Sequence, residues 1–207
     1  MRLILVRHAQ TDANLNHCLQ GQSDGLLNGT GLEQAEALGR HLKDTAIDQI
    51  ISSPLRRAQD TAAVIAQYQG LDVTTSSLLR EWNCGSLDGI PAEVFRKKLQ
   101  EFAGPLSTFR PQGGETLLEV RQRAAEFLEQ LTAKYPYQTV LVCSHGDIMR
   151  CLLSILQGID LEQASGIFFE NASYTILELE NGQWNLIALN QLPGTGYLPE
   201  PYRGIRV

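Results

Sequence analysis

Two kinds of hydrophobic pattern alternate along the chain. Leu3–Val6 is an unbroken apolar run, and Thr139–Cys143 reads the same way. Such runs predict strands covered on both faces, as in the interior of a parallel sheet. Ile47–Ile51 predicts a further strand and Leu71–Thr75 a short one. Between them lie helical spacings. Thr30–Lys43 puts Leu32, Ala35, Leu38, Gly39 and Leu42 on one face. The segment SSPLRRAQDTAAVIAQY predicts a helix with Ser53 as N-cap, Pro54 in its first position and Gly70 at its end. Helices are also predicted at Ala92–Phe102, Glu115–Tyr135 and Gly146–Leu156, with a loop from Gly104 to Gly114. Tyr174–Glu180 and Trp184–Asn190 flank Asn181-Gly182, a strong hairpin signal. Alternating strands and helices predict an α/β fold with three α/β/α layers around a mainly parallel central sheet.

Composition narrows the function classes. The chain has 207 residues, which suits one domain, with a small lid-like insertion at about 82–114 and a Pro/Gly-rich tail from about 193. Hydrophobic residues make up 43% and charged residues 19%, so the chain is globular and not disordered. The net charge is -6, from 17 Lys+Arg against 23 Asp+Glu, which argues against a nucleic-acid partner. An anionic substrate must then be drawn by a local Arg cluster. Cys18, Cys84, Cys143 and Cys151 form no C-x-x-C pair, so no metal site is expected. The apolar start is too short for a secretory signal and no stretch approaches a membrane span. A cytoplasmic protein with reduced thiols and no membrane partner is expected. The Pro/Gly/Tyr tail leaves a homodimer open.

Two predicted strands run into histidines. Leu3–Val6 is followed by Arg7-His8, and Leu141–Cys143 by Ser144-His145-Gly146. Ligands of open α/β sheets bind beyond the carboxyl ends of strands. The two imidazoles therefore meet in one crevice if the strands are neighbours. Arg7 precedes one histidine, and Gly146 opens a helix whose backbone N–H groups suit an anion. Arg56 and Arg57 sit in the first turn of the Pro54 helix, where Arg can hold a phosphoryl group bidentately. His17 and His41 have no such context. Trp82, Phe95, Phe102 and Phe109 read as core rather than pocket.

RHAQTDAN, SSPLRRAQDTA, LREWNCGSLDG and VCSHGDIMR occur in an order that resembles the histidine phosphatase superfamily, in its phosphoglycerate mutase-like branch. The likeness runs from Met1 to about Gly158. It implies the phosphoglycerate mutase-like fold and metal-independent phosphomonoester hydrolysis with no cofactor. It assigns His8 as the nucleophile that becomes phosphohistidine. Arg7, Arg57 and His145 are implied as the phosphate pocket, with His145 a neutral or charged donor. Glu81 is implied as proton donor, Asn14 as a further pocket residue, and Gln20 and Gly21 as a pair bordering the substrate. Arg57, not Arg56, holds the motif position directly before Ala58. The usual R-H-G-E is here Arg7-His8-Ala9-Gln10, and Gln10 puts a neutral amide where an acid is usual.

The mutases of the family carry a long basic insertion, whereas this chain has only Arg96, Lys97, Lys98 and Arg110 between Glu81 and the Glu115 helix. A smaller lid and easier water access favour hydrolysis of a small phosphorylated metabolite. GGET at Gly113–Thr116 resembles small phosphatases acting on phosphoserine, alpha-ribazole phosphate or many esters. NASYTI at Asn171–Ile176 tips the expectation toward phosphoserine. Phosphoglycerate mutase and an inactive phosphate-binding module are the alternatives.

Overall fold

The computed structural model describes residues 1–194, so most of the tail expected from about 193 lies outside the described residues. Six strands form one sheet: β1 (Arg2–Arg7), β2 (Gln49–Ser52), β3 (Val73–Thr75), β4 (Thr139–Ser144), β5 (Tyr174–Glu180) and β6 (Gln183–Gln191). Their order is β3-β2-β4-β1-β5-β6. Strands β1 to β4 pair in parallel, and the β5–β6 hairpin joins β1 antiparallel. The hairpin turn has Asn181 at φ 51° and Gly182 at φ 79°, the left-handed pair that a tight two-residue turn needs.

The helices are α1 (Asp12–Leu15), α2 (Gly29–Leu42), α3 (Arg56–Gln69), α4 (Ala92–Glu101), α5 (Leu117–Lys134), α6 (Gly146–Leu156) and α7 (Leu161–Ser165). Side-chain alternation along β1 explains why its run is unbroken. Leu3 and Leu5 join a core with Phe127, Leu131 and Met149, while Ile4 and Val6 join a second core with Leu38, Ala62 and Ile65. So α5 and α6 cover one face of the sheet, and α2 and α3 the other. Burying each such aliphatic side chain contributes about 1.5–3 kcal/mol.

Local departures from the predicted pattern have identifiable causes. Leu32 is 53% exposed and not on the buried face of α2. Gly31 takes that line instead, because the helix approaches the first loop closely: a Cβ there would lie 2.1 Å from the Gln10 carbonyl oxygen. Ser53 is not the N-cap of α3. The helix starts at Arg56, with extended Leu55 as an N-cap that lacks a side-chain bond, and the Ser53 hydroxyl is used elsewhere. Gly70 does end α3, at φ 65°. Helix α5 begins at Leu117, two residues later than predicted, after a Thr116–Glu119 capping box.

Candidate active site

The sheet register creates the site. Arg7 pairs with Ser144 across β1 and β4, so His8 and His145 leave the sheet side by side. Their ring centroids are 5.1 Å apart. His8 Nδ1 lies 2.8 Å from the Ala9 carbonyl oxygen. A carbonyl only accepts, so Nδ1 carries the proton and Nε2 keeps its lone pair. Arg57 Nε donates to that Nε2 at 3.3 Å. Burial, then the charges of Arg57 and Arg7, hold His8 well below the usual histidine range, so the ring is neutral.

Arg57 is fully buried and grips the second loop. Its guanidinium donates to the carbonyls of Gly21 at 2.7 Å, Ser23 at 3.0 Å and Gln20 at 3.5 Å. Arg56, by contrast, is a surface cation paired with Asp60. Arg7 donates from Nη1 to the Phe169 carbonyl, while its Nε is buried without a hydrogen-bond partner. His145 Nε2 lies 2.7 Å from Ser53 Oγ. That hydroxyl accepts the Leu55 N–H at 3.3 Å and has its own proton to give; when it donates to His145 Nε2, the ring proton of His145 sits on Nδ1. This Nδ1 is buried without a hydrogen-bond partner. Burial and the Arg57 charge hold His145 well below the usual histidine range, so the ring is neutral in the free protein.

Glu81 is buried at the N-terminus of α6. Its carboxylate accepts from the N–H groups of Trp82 at 2.9 Å, Asp147 at 3.1 Å and Ile148 at 3.3 Å. The first N–H groups of α6 after Gly146 thus hold the chain's own Glu81 carboxyl group, where an anion of the substrate was expected. Burial and the neighbouring Asp147 raise the Glu81 pKa, against those N–H bonds and Arg57, which lower it. A cavity of about 520 Å³ opens over these groups. Arg7, His8, Glu81 and Gly146 line it, with Asn14, Gln20 and Gly21 from the first two loops. Arg57 and His145 are not on its wall; both are fully buried and reach His8 instead.

The loop residues brace one another. Asn14 Oδ1 accepts from the Thr11 N–H at 3.2 Å and from Asn171 Nδ2 at 3.1 Å, and Asn171 also donates to the His8 carbonyl at 3.0 Å. The Gln20 amide oxygen accepts the Thr11 hydroxyl at 2.9 Å. Gly21 donates to Asp88 Oδ1 at 3.2 Å and passes so close to Cys84 that a Cβ would lie 2.5 Å from Sγ. Gln10 turns away from the cavity. Its Oε1 accepts from Asn28, the N-cap of α2, at 3.1 Å, and its N–H donates to Gln34 at 2.9 Å.

The family model of the histidine phosphatase superfamily (branch 1) matches residues 3–192. The chain belongs to this superfamily. It is 34% identical over 194 residues to phosphoserine phosphatase 1 of Hydrogenobacter thermophilus, covering 92% of each chain. It is 31% identical over 188 residues to a probable phosphoglycerate mutase of Proteus mirabilis, covering 89% of this chain and 87% of the relative. Among solved structures, a mycobacterial glucosyl-3-phosphoglycerate phosphatase complexed with VO3 superposes with a TM-score of 0.81 at 31% identity, over 91% of this chain and 98% of that one.

Several residues of this histidine phosphatase's site escaped sequence reasoning. Arg123 of α5 donates to the carbonyls of Leu78 at 2.8 Å and Glu81 at 3.0 Å, and to that of Arg80. It also pairs with Glu115 at 2.8 Å, whose Oε1 accepts the Asn83 N–H at 2.8 Å. Together they clamp the backbone on both sides of Glu81. The signal was present: Val120, Ala124 and Phe127 are buried, and an arginine at 123 falls on the same stripe. Ser53, a cap by its sequence position, is the partner of His145. Trp82 and Phe95, expected as core, are also cavity wall.

Proposed function

We propose that the protein hydrolyses phosphomonoesters of small metabolites through a phosphohistidine on His8, with neither metal nor organic cofactor. The observation that carries this reading is the neutral His8 Nε2, its lone pair directed at a buried arginine, in a cavity shared with a carboxyl group whose pKa is raised. The His8 nitrogen attacks phosphorus as the bond from phosphorus to the ester oxygen breaks. Glu81, protonated, gives its proton to the departing alkoxide. Glu81 then takes a proton from water as that water attacks phosphorus and breaks the P–N bond. Arg7 lines the cavity and its Nε has no partner among the described residues, so it suits an equatorial oxygen, where charge grows in the transition state; His145 Nδ1, likewise without a partner there, is buried beside His8 and would serve a phosphoryl group carried on His8. Arg57 supplies fixed positive charge at the nucleophile and anchors the Gln20-Gly21 loop.

Hydrolysis is favoured over mutase action by the few cations near the cavity. Lys97 pairs with Glu93 at 3.0 Å and Arg110 with Glu119 at 2.6 Å. Of the four basic residues between Glu81 and α5, Arg96 alone borders the cavity. Phosphoserine remains a named candidate, supported by the Hydrogenobacter relative. The NASYTI segment lends it less support, since Asn171 bonds the phosphate-end loops and not the leaving-group side. A cytoplasmic setting is part of the proposal and agrees with four free cysteines.

The test uses a panel of phosphomonoesters with chelator present and a rapid quench. Wild type releases phosphate and traps an acid-labile, base-stable label; His8→Ala does neither. No turnover and no label across the panel would reject the reading. Turnover of 3-phosphoglycerate only with its bisphosphate primer would establish the mutase instead.

A further inference from the structure

We infer that the cavity beyond Glu81 is an apolar leaving-group site, built for a phosphomonoester whose alcohol carries a flat, ring-sized apolar body. This inference rests on the phosphatase reading and names the substrate class for it. The phosphate end occupies only one part of the cavity. The aromatic and aliphatic part of the remaining wall includes Leu19 in the second loop, Trp82 and Phe95 in the stretch after Glu81, and Phe168 with Phe169 after α7. Asp147, Arg150, Arg96 and Ser165 add polar groups. A concave, mostly apolar wall with convergent polar groups at one end is the usual form of a small-molecule site. At about 520 Å³ it holds far more than a phosphoryl group and a three-carbon alcohol.

Two features mark this wall as a binding surface and not merely part of the core. Phe168 is 60% exposed beside Phe169, which is 1% exposed and whose carbonyl holds Arg7. An open phenyl ring therefore stands next in the chain to the residue whose carbonyl accepts from Arg7. Phe95 belongs to a row of aromatic contacts, 5.6 Å from Trp82 and 5.8 Å from Phe109, with Phe102 5.2 Å further on. The row seats α4, a helix with no fully buried residue, against the rim of the cavity. Because Trp82 directly follows Glu81, the ester oxygen receiving the Glu81 proton lies where the polar end meets this wall.

The charged groups at the rim do not favour an amino-acid leaving group. Asp147 and Arg150 neutralise each other at 2.6 Å, and Arg150 Nε is also committed to the Ile167 carbonyl at 2.7 Å. Glu115 is committed to Arg123. The carboxyl groups lining the cavity among the described residues are Asp147, paired with Arg150, and Glu81, held by three N–H groups and needed by the reaction, so an entering ammonium meets no uncommitted carboxylate. Arg96 is an exposed cation at the outer edge, reachable by the far end of a long leaving group only.

The experiment compares aliphatic esters with similar leaving groups: ethyl phosphate, 2-phenylethyl phosphate and phosphoserine. Full burial of the ring predicts a kcat/KM for the phenylethyl ester about 10- to 100-fold above that of the ethyl ester, and above that of phosphoserine. Phe168→Ala, at an exposed position where folding is safe, shrinks the phenylethyl-to-ethyl ratio about tenfold, and Phe95→Ala does so independently. Phosphoserine matching or exceeding the phenylethyl ester, with every rate still dependent on His8, would overturn the leaving-group site and leave the phosphatase reading standing. If no ester is turned over, the hydrolase reading fails. The site is then judged by calorimetric titration with 2-phenylethylphosphonate and ethylphosphonate: tighter binding of the former supports it, and equal binding overturns it.

Discussion

Glu81→Gln separates the two halves of the proposed reaction, because that mechanism gives one carboxyl group two successive tasks. The amide keeps an oxygen for the N–H groups of Asp147 and Ile148, now 3.1 Å and 3.3 Å from the carboxylate, but has no proton to give. General acid catalysis contributes about 100- to 10,000-fold. The loss should appear in full in kcat/KM for an alkyl ester, whose alkoxide cannot leave unprotonated. For 4-nitrophenyl phosphate, whose phenolate leaves without a proton, kcat/KM should fall less than tenfold, since that parameter ends at phosphoenzyme formation. Attack of water still lacks its base. The variant should therefore release one nitrophenolate per active site in a burst and then stall, with label accumulating on His8. Quench-flow with the nitrophenyl ester reads the burst, and steady-state rates on both esters read the selectivity. Equal losses on the two esters with no burst would refute the assignment of Glu81 as acid and base.

Three other outcomes follow from the geometry. Loss of the Arg123 clamp in Arg123→Ala strips the Leu78, Arg80 and Glu81 carbonyls of a donor. It should lower kcat about 10- to 100-fold with KM little changed, at a stability cost of about 2 kcal/mol; an altered alkaline limb, measured well below Tm, would distinguish misplacement of Glu81 from simple unfolding, and an unaltered kcat would refute the clamp. His8 and His145 both have folded-state pKa values below the unfolded one, so the stability they confer is present above the unfolded value of about 6.5 and is lost as pH falls toward the folded value. The acid limb of kcat/KM should accordingly lie well below the ordinary histidine range; a limb at or above that range would contradict a neutral, buried His8. Gln10→Glu should change kcat/KM less than threefold on every ester, because Gln10 faces Asn28 and Gln34 and not the cavity; reordering of the substrate ranking would show that the acid normally found there acts on the pocket.

How much of this was legible depended on whether a residue's task was local. The apolar runs of β1 and β4, Gly70 ending α3, and the Asn181-Gly182 turn follow from backbone rules within a few residues, and the structure has them all. Ser53 shows where local rules stop. It carries every mark of an N-cap, yet its hydroxyl serves His145, 92 positions away. The same holds for Gln10, whose chemical difference from the usual acid looks important until its bond to Asn28 places it outside the cavity. Helices α1 and α7 escaped prediction because four or five residues carry too little period to read. The residues around Glu81 were readable only as a motif, since the clamp that sets their path lies on α5, across 42 residues.

On the proposed mechanism, the placement of Glu81 accounts for a helix N-terminus that holds a side chain of the protein and not the substrate. A carboxyl group that must be an acid in one step and a base in the next needs a pKa that neither state dominates. Burial and Asp147 favour the protonated form; the N–H groups of Trp82 and Asp147 and the charge of Arg57 favour the ionised one. Had the helix N–H groups acted alone, the carboxylate would be locked ionised and the alkoxide could not leave. Had burial acted alone, the proton would be held too tightly to be exchanged with water. Arriving phosphate adds negative charge to the protonating side, and the departing alcohol admits water to the ionising side, so each step prepares the state that it requires. The β1–β4 register contributes the other half. With two strand ends delivering Arg7-His8 and His145 together, the cationic charge comes from Arg7 and the buried Arg57, and on this mechanism the α6 N-terminus is left free to tune the acid.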